Sequence, residues 1–216
     1  KTDPGGTTRL TDLWDGDTND PESLPGIADI WVLGRKLFFS TTRFRHVRLW
    51  TTDGTRSGTV ELSSLGQGAP LALNGKVLFG NGANQLTVTD GSLSGTKVIG
   101  SYSPPERADP VLFLTRAGDR ACYVQGVDGR ESWLWSTDGT AAGTIRLQRG
   151  PTGSVWYDFG PLAPLGNELI YLSTEDGGPR NLRKTDGTPA GTKLLRDFGD
   201  GWVSSIALPA AGNRLY

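Results

Sequence analysis

The sequence has little of the chemistry on which most enzymes and disulfide-stapled domains depend. Its 216 residues include one cysteine, Cys122, and one histidine, His46. A lone cysteine cannot form an intramolecular disulfide, and the apolar run ACYVQG around it predicts a buried thiol. A lone histidine leaves little from which to build a Ser-His-Asp triad or a histidine-based metal site. Arg43, Arg45 and Arg48 flank His46, which predicts a surface residue in a basic hairpin loop.

The sequence also lacks an excess of charge, long apolar runs and helical periodicity. Lys and Arg number 22 against 23 Asp and Glu, a net charge of −1. That balance creates no overall field to attract nucleic acid or an anionic membrane, so we expect neither partner. No segment reaches the roughly 18 consecutive apolar residues that insertion into a bilayer requires. No window of a dozen residues has the apolar spacing of an amphipathic helix, which predicts an all-β protein.

What the sequence does contain is a repeat. The stretch LWSTDGTAAGTIRL starts at Leu134, and related stretches start at Leu49, Leu86 and Leu182. A shortened copy, KTDPGGTTRL, opens the chain. The aspartates of the five copies are Asp3, Asp53, Asp90, Asp138 and Asp186, separated by 50, 37, 48 and 48 residues. A period near 45 residues is typical of propeller blades and of solenoid repeats.

Each repeat also has a Gly or Asn turn before the motif, followed by an apolar run, as in LNGKVLF and LGNELIY. This pattern indicates a hairpin and its second strand. In the fourth repeat we predict strands at 159–165, 168–173, 181–185 and 192–195. The second strand of each repeat is apolar on both faces, which indicates a strand covered on both sides, as in a propeller blade.

The two ends of the chain complement each other. The chain begins at a motif hairpin without its preceding strands and ends just after such strands, at 206–208 and 214–216. Joined, they would complete one blade. We therefore expect residues 1–216 to form a single all-β domain: a five-bladed β-propeller with about four antiparallel strands per blade, closed by a composite blade from the N- and C-terminal strands. A fragment of a longer array, cut at arbitrary points, is the alternative.

The motif itself has the composition of a tight turn. In TDGTxxGT the Asp side chain can accept backbone N–H groups of the residues that follow, Gly supplies a positive φ, and Thr hydroxyls can bond further backbone groups. We therefore predict a structural role for Asp3, Asp53, Asp90, Asp138 and Asp186. Binding of cations or sugars by these residues is the alternative interpretation.

The repeat resembles the ELWxxDGT repeat family, in which ELWxxDGTxxGTxLV is followed by an LTxxNGxLYF-like segment. The resemblance covers essentially the whole chain. It implies a secreted or surface-attached bacterial protein with a propeller fold, and it implies no catalytic residues. The Glu of the family pattern is replaced in all four complete copies, by Arg48, Gln85, Trp133 and Asn181. The following Trp is kept only as Trp50 and Trp135, so a site built on that Trp would not be five-fold.

The best candidates for ligand contact are aromatic residues in connecting segments. Trp156 and Trp202 each lie ten positions before the turn glycine of their repeat, and Trp133 adjoins the motif. Indole rings at such positions can stack on sugar faces or anchor a protein partner. Packing between adjacent blades is the alternative for all three. Arg45, with the neighbouring arginines, is a candidate for an acidic glycan or protein.

A weak calcium signal lies near the start of the chain. The run DGDTND places oxygen ligands at alternating positions, as at the beginning of a calcium-binding loop. The sixth and twelfth positions, where a complete loop of the EF-hand type needs Gly and Glu, hold Asp20 and Gly26. Glu22 would instead have to close a shorter site. The candidate ligands are Asp15, Asp17, Asn19 and Glu22, and the alternative is a solvated loop.

We therefore expect a non-enzymatic extracellular binding module that recognises carbohydrate or glycoconjugate through inter-blade loops. A protein-interaction scaffold in a bacterial surface assembly is the second hypothesis. A glycosidase-type propeller enzyme is the third, because five-bladed propellers host such enzymes with acids around the central channel. No cofactor is required, calcium aside, and the expected partner is a glycan or a surface protein.

Overall fold

The structure is a computed structural model, and every regular element in its described part is a β-strand. The described residues are 2–3, 6–7, 10, 26–33, 36–43, 46–66, 68–100, 108–129, 131–150, 159–174, 181–199, 210–211 and 214–215. In these ranges there is no helix long and apolar enough to cross a membrane. The all-β prediction is therefore confirmed at this level.

Sixteen of the strands form four antiparallel sheets, each a meander of four consecutive strands. We call these sheets blades 1 to 4. Blade 1 contains β3 (Gly26–Leu33), β4 (Lys36–Arg43), β5 (His46–Thr52) and β6 (Val60–Leu65). Blade 2 contains β7 (Leu71–Leu73), β8 (Lys76–Gly80), β9 (Leu86–Thr89) and β10 (Lys97–Gly100).

Blades 3 and 4 repeat the arrangement. Blade 3 contains β11 (Leu112–Ala117), β12 (Arg120–Val127), β13 (Glu131–Thr137) and β14 (Ile145–Arg149). Blade 4 contains β15 (Ala163–Leu165), β16 (Glu168–Ser173), β17 (Asn181–Thr185) and β18 (Lys193–Arg196). In this fourth repeat the two middle strands match the predicted bounds, while β15 starts four residues later than predicted.

The terminal strands form two separate hairpins in the described residues. Strands β1 (Thr2–Asp3) and β2 (Gly6–Thr7) pair with each other, and so do β19 (Ala210–Ala211) and β20 (Arg214–Leu215). No described pairing joins the two hairpins into one sheet. The composite fifth blade and the closure of the ring therefore remain predictions.

All four blades carry a register irregularity at the same place in the repeat. The pairing of the third and fourth strands shifts between Leu49 and Trp50, between Leu134 and Trp135, and between Leu182 and Arg183. In blade 2 the shift lies opposite the corresponding residues, between Val98 and Gly100. A bulge twists a strand locally, so its recurrence gives every blade the same shape at the start of its motif.

The core lies between blades rather than within them. In blade 2, Val77 and Phe79 pack into a cluster with Phe38 and Leu49 of blade 1. Leu78, on the other face of the same strand, packs with Ala121 of blade 3. The second strands of blades 2 to 4 are buried on both faces, as the sequence pattern predicted. This burial of apolar area on both sides stabilises the packing of each blade on its neighbours.

The meander places two kinds of turn on one face of the array. Within each blade the turn between the first two strands and the motif turn between the last two lie at the same end of the sheet. We call this end the motif face. The loops between the second and third strands, and the connections between blades, lie at the opposite end. The first strands of blades 2, 3 and 4 contact one another in succession, so they line the inner side of the array.

Candidate inter-blade binding site

The motif turn is organised by its aspartate, as the copy at Asp138 illustrates. Its Oδ1 accepts the backbone N–H of Thr140 at 2.8 Å and the hydroxyl of the same residue at 2.7 Å. Oγ1 of Thr140 in turn accepts the backbone N–H of Gly143 at 3.0 Å. Three polar groups that the strands leave unpaired, the N–H and hydroxyl of Thr140 and the N–H of Gly143, are therefore bonded inside the turn.

Two further threonines of the motif form a directed chain of hydroxyl bonds. The N–H of Gly139 donates to Oγ1 of Thr137 at 3.0 Å, and the hydroxyls of Thr137 and Thr144 are 2.8 Å apart. Thr144 donates its own proton to the carbonyl oxygen of Thr140 at 2.6 Å. Each hydroxyl has a single proton, so Thr137 must be the donor to Thr144. The side chain of Thr137 is completely buried and fully bonded.

The copies at Asp53, Asp90 and Asp186 repeat this network with distances of 2.6 to 3.0 Å. In the second of these the hydroxyl of Ser92 takes the place of a threonine. Asp3 lies at the end of β1, and its side chain is outside the described residues. In the four described copies, the aspartate therefore acts as the internal acceptor of a turn.

The two motif glycines are required for different reasons. Gly139 has φ of +88°, a left-handed conformation that L side chains rarely adopt. Gly143 has no such backbone constraint, but a Cβ placed there would lie 2.1 Å from Oδ1 of Asp138. Sequence reasoning found the first requirement. It missed the second, because that requirement depends on how closely the carboxylate folds back over the chain.

The turn bonds also set the protonation of the motif aspartates. The hydroxyl of the following Thr or Ser, and then its backbone N–H, donate to the carboxylate and lower the pKa of Asp53, Asp90 and Asp186 below the ordinary aspartate value. The pKa of Asp138 is lowered mainly by the hydroxyl of Thr140. All four carboxylates are therefore charged at neutral pH.

Trp133 lies between blades 2 and 3 rather than on an open loop. It is half-buried beside a cluster that contains Tyr123 and Trp135. Its Nε1 donates to Oε1 of Glu131 at 2.6 Å, and the guanidinium of Arg146 lies 4.9 Å from its ring centroid. This arrangement matches the packing alternative, and a ligand contact at Trp133 stays a prediction.

The other candidates named from the sequence lie outside the described residues. These are Trp156, Trp202 and Arg45 for ligand binding, and Asp15, Asp17, Asn19 and Glu22 for calcium. In the described ranges no three His, Cys, Asp or Glu side chains group together as metal ligands. His46 begins β5, opposite Arg43. Cys122 is completely buried, and burial raises the pKa of its thiol to about 12, which makes the thiol inert at neutral pH.

The structure adds a candidate site that the sequence did not reveal. A cavity of about 700 Å³ opens between blades 3 and 4 on the motif face, and we call it the inter-blade pocket. Its polar side chains are Arg116, Asp119, Arg120, Asn167, Asp186 and Thr188. They come from the first turn of each blade and from the motif turn of blade 4. Because two blades supply the lining, no single stretch of sequence shows the pocket.

Several polar groups of the inter-blade pocket are open to a ligand. Arg116 uses its Nε to donate to the carbonyl oxygen of Gly118 at 2.7 Å, which fixes the guanidinium and leaves its terminal nitrogens available. The side chains of Asp119 and Asn167 are exposed, and neither has a hydrogen-bond partner among the described residues. Oδ1 of Asp186 is used by its own turn, and Oδ2 is not. The pocket thus offers donors and acceptors together.

Comparison with known sequences identifies no relative, since no family model and no curated protein matches the chain. The resemblance of the repeats to the ELWxxDGT family therefore stays an interpretation of the residues.

Solved structures do resemble the fold. A puromycin-hydrolysing peptidase of Mycobacterium tuberculosis superposes with a TM-score of 0.51 at 12% identity, over 81% of this chain and 31% of that one. A structure from a study of two prolyl endopeptidases gives 0.51 at 19% identity, over 82% of this chain and 27% of that one. A puromycin hydrolase gives 0.51 at 12%, over 80% and 28%. The chain thus spans less than a third of these structures. The similarity supports a β-propeller-like fold and extends no further.

Proposed function

We propose that the chain is a non-enzymatic, extracellular binding module that recognises carbohydrate or glycoconjugate between its blades. The observation that carries this proposal is the inter-blade pocket, with a volume of about 700 Å³ and six polar side chains beside Ala117 and Pro164. That volume falls within the range of small-molecule sites in proteins. The setting at the bacterial cell surface rests on the resemblance of the repeats.

The charge of the pocket suits a sugar. Arg116 and Arg120 contribute two positive charges, and Asp119 and Asp186 contribute two negative charges. The pocket therefore has no strong preference for an anion, and it presents carboxylates to accept from hydroxyls beside guanidinium and amide groups to donate to them. A sugar ring carries both kinds of group on every side.

The proposal includes a closed ring of five blades, supported by the two ends of the four-blade array. Leu62 of blade 1 is covered by blade 2 and is 8% exposed, whereas Leu195, at the same repeat position in blade 4, is 47% exposed. At the other end, Ile27 and Ile30 of β3 are 57% and 59% exposed. Apolar faces of this kind require a cover, and a fifth blade would cover both.

The terminal hairpins are suitably placed to supply that blade. Leu10, which follows the N-terminal hairpin, lines a cavity of about 260 Å³ against Ile27, Ile30 and Phe39 of blade 1. At the other end of the array β19 contacts β15 of blade 4. Leu10 thus lies at one uncovered face, and the C-terminal hairpin lies beside the first strand of the blade that carries the other.

A glycan array probed with the purified chain tests the carbohydrate proposal. We expect binding to a restricted set of glycans, lost in the double variant Asp119→Ala/Asn167→Ala, whose side chains line the pocket and bond no other described residue. Lys76→Ala is the matched control, because Lys76 is exposed on the same face outside the pocket. A blank array at high protein concentration would overturn the proposal, as would identical binding by the double variant.

The second candidate function is a protein-interaction scaffold. It is supported by the exposed apolar faces at the two ends of the blade array. If a partner rather than a fifth blade covers Leu194 and Leu195, a stoichiometric protein should co-purify from the native source. Replacing both leucines by Ser should then release it. The third candidate, a glycosidase, is tested with the glycans that bind, because an enzyme would generate new reducing ends from them.

A further inference from the structure

The junctions between blades differ in which side chain, if any, donates a hydrogen bond to the motif-turn carbonyls of the following blade. Between blades 1 and 2, the Nζ of Lys36 donates to the carbonyl oxygens of Asp90 and Gly91, at 3.1 and 2.9 Å. Those carbonyls belong to the motif turn of blade 2. Its turn glycine packs directly on the Lys36 side chain, since a Cβ on Gly91 would lie 2.7 Å from Cδ of that lysine. An ammonium group of the protein thus occupies the edge of this turn.

Between blades 2 and 3 a neutral donor has the same role. The Nδ2 of Asn74 donates to the carbonyl oxygen of Asp119 at 2.9 Å, and lies 3.5 Å from that of Asp138. The motif carbonyl of blade 3 is therefore reached only at the limit of hydrogen-bond length. A side chain from the preceding blade still closes the junction.

Between blades 3 and 4 the donor at the corresponding position is directed elsewhere. Arg120 occupies the repeat position of Lys36, and its stem packs on Gly187 as the lysine packs on Gly91. Its guanidinium instead bonds within its own blade, with Nε donating to Oγ of Ser136 at 2.7 Å and Nη2 to the carbonyl oxygen of Gly143 at 2.6 Å. The longer, forked side chain can reach these acceptors, whereas a lysine ends in a single point charge.

The motif carbonyls of blade 4 consequently receive no such donor. Within the described ranges no side chain donates to the carbonyl oxygen of Asp186 or Gly187. Of the two residues, Asp186 lines the inter-blade pocket, whereas Gly187 is buried against the stem of Arg120. The carboxylate of Asp186 adds a negative charge beside its own carbonyl. The chain therefore contains one copy of this acceptor site that a primary ammonium fills, and a second copy, at Asp186, that no described side chain fills.

We propose that the inter-blade pocket binds an amino sugar. The protonated amine of the sugar lies at Asp186 in the same way as the Lys36 ammonium lies at Asp90. This inference rests on the proposed carbohydrate function and names the sugar class for the same pocket. Asp186 and its carbonyl accept from the ammonium group. Arg116 and Asn167 donate to the ring hydroxyls, and Asp119 accepts from them.

Calorimetric titration with a short β-linked glucosamine oligosaccharide, and with its N-acetylated counterpart, provides the test. We expect the free amine to bind at least about tenfold more tightly, because acetylation removes the charge and two of the three N–H donors. The preference should also disappear as the pH rises through the pKa of the ligand amine.

Two variants separate the pocket from the turn that builds it. Asp186→Asn keeps an oxygen for the two turn bonds from Thr188 but removes the charge, and we expect it to lose the preference for the amine. Asp138→Asn makes the same change in the turn of blade 3, outside the pocket, and should bind like the unmodified chain. Equal losses in the two variants would overturn the inference.

A third variant uses the internal comparison directly. Arg120→Lys should place an ammonium over Gly187, as Lys36 does over Gly91. The lysine would then fill the position at Asp186 that the ligand amine would otherwise take. We expect loss of amine binding in a chain that melts close to the unmodified protein. Undiminished amine binding by folded Arg120→Lys would contradict the proposal.

The remaining outcomes separate this inference from the proposed function. Equal affinity for the amine and its acetylated counterpart overturns the amino sugar. If a glycan array shows binding to neutral sugars, the carbohydrate function survives that result. Tighter binding of a blocked lysine, with its ε-ammonium free, than of the glucosamine oligosaccharide would also overturn the amino sugar. It would assign the ammonium to a protein partner.

Discussion

The junction between blades 1 and 2 and the junction between blades 3 and 4 have the same kind of apolar interior. They differ at the motif face, in the polar side chains at the edge of the junction, which we call the rim. In both, the third-strand leucine of the motif and the second strand of the next blade form an apolar cluster. At the first junction Lys36 closes the rim on the motif face. At the second, Arg120 bonds to its own blade and the rim opens into the inter-blade pocket. The repeated interior maintains the array, while the rim is free to vary, and the candidate site lies in the rim.

The largest effect should come from the interior, at Leu62 and its counterpart Leu195. Leu62→Ala removes a buried side chain from the first junction and should cost about 2–4 kcal/mol of unfolding free energy. If a fifth blade covers blade 4, Leu195→Ala should cost more than its present exposure implies, at least about 1.5 kcal/mol. Urea unfolding of both variants measures this. A cost below about 0.5 kcal/mol at Leu195 would argue against the closed ring.

The second effect should be equal at the two junctions, because the motif turns are the same. A Cβ on Gly95 would lie 2.1 Å from Oδ1 of Asp90, and one on Gly191 would lie 2.0 Å from Oδ1 of Asp186. Each Gly→Ala substitution must displace its carboxylate and should cost about 2–3 kcal/mol. Thermal melting gives the comparison, with Gly26→Ala as the control, since a Cβ at Gly26 would have no atom within 4 Å. A large difference between the two turns would contradict their equivalence.

A smaller effect should distinguish the rims. Lys36→Ala removes a charged donor from two carbonyl groups and should destabilise the chain by about 1 kcal/mol. Lys76→Ala, at the same repeat position in blade 2, removes an exposed side chain with no described hydrogen bond and should change little. Chemical denaturation in low salt would show the difference. Equal effects would mean that the Lys36 bonds contribute nothing to stability.

The smallest effect concerns pH and is shared by both junctions. The pKa values of Asp53, Asp90, Asp138 and Asp186 are lowered by their turn hydrogen bonds. The stability that these groups contribute is therefore complete above the ordinary aspartate pKa, and it is lost as the pH falls through the lower native values. Melting temperatures between pH 7 and pH 3 should fall less steeply in a chain with all four replaced by Asn. Carboxyl titration by NMR would show whether the native values are lowered.

Much of the blade structure could be predicted from local sequence. The motif and the preceding Gly or Asn turn fix two hairpins per repeat, so the bounds of β16 and β17 follow from alternation between turn signals. The double-sided burial of the second strand also follows, because both of its faces are apolar. Where β15 begins does not follow. Phe159 already forms a bridge with Ser173, but the pairing is interrupted at Gly160 and Pro161 and becomes regular only from Ala163.

The candidate site could not be predicted, because it depends on a choice between two sets of acceptors. Lys36 and Arg120 occupy one repeat position and have similar charge, yet one bonds to the next blade and the other to its own. Sequence reasoning instead selected tryptophans. Of these, only Trp133 lies in the described part of the chain, and it packs between blades.

The directed chain of hydroxyls in each motif has a consequence for how such proteins change over time. In the copy from Thr137 to Thr144, every bond of the turn network is made inside eight consecutive residues. Duplication or deletion of a whole blade therefore leaves the internal bonds of every motif turn intact, and it has to rebuild only the apolar packing and the few polar contacts between neighbouring blades. Apolar packing between neighbouring blades tolerates changes of residue, whereas a buried polar group needs a specific hydrogen-bond partner. A gene encoding this repeat can thus gain or lose copies in whole units, and selection then acts on the few rim residues that make one junction unlike the next.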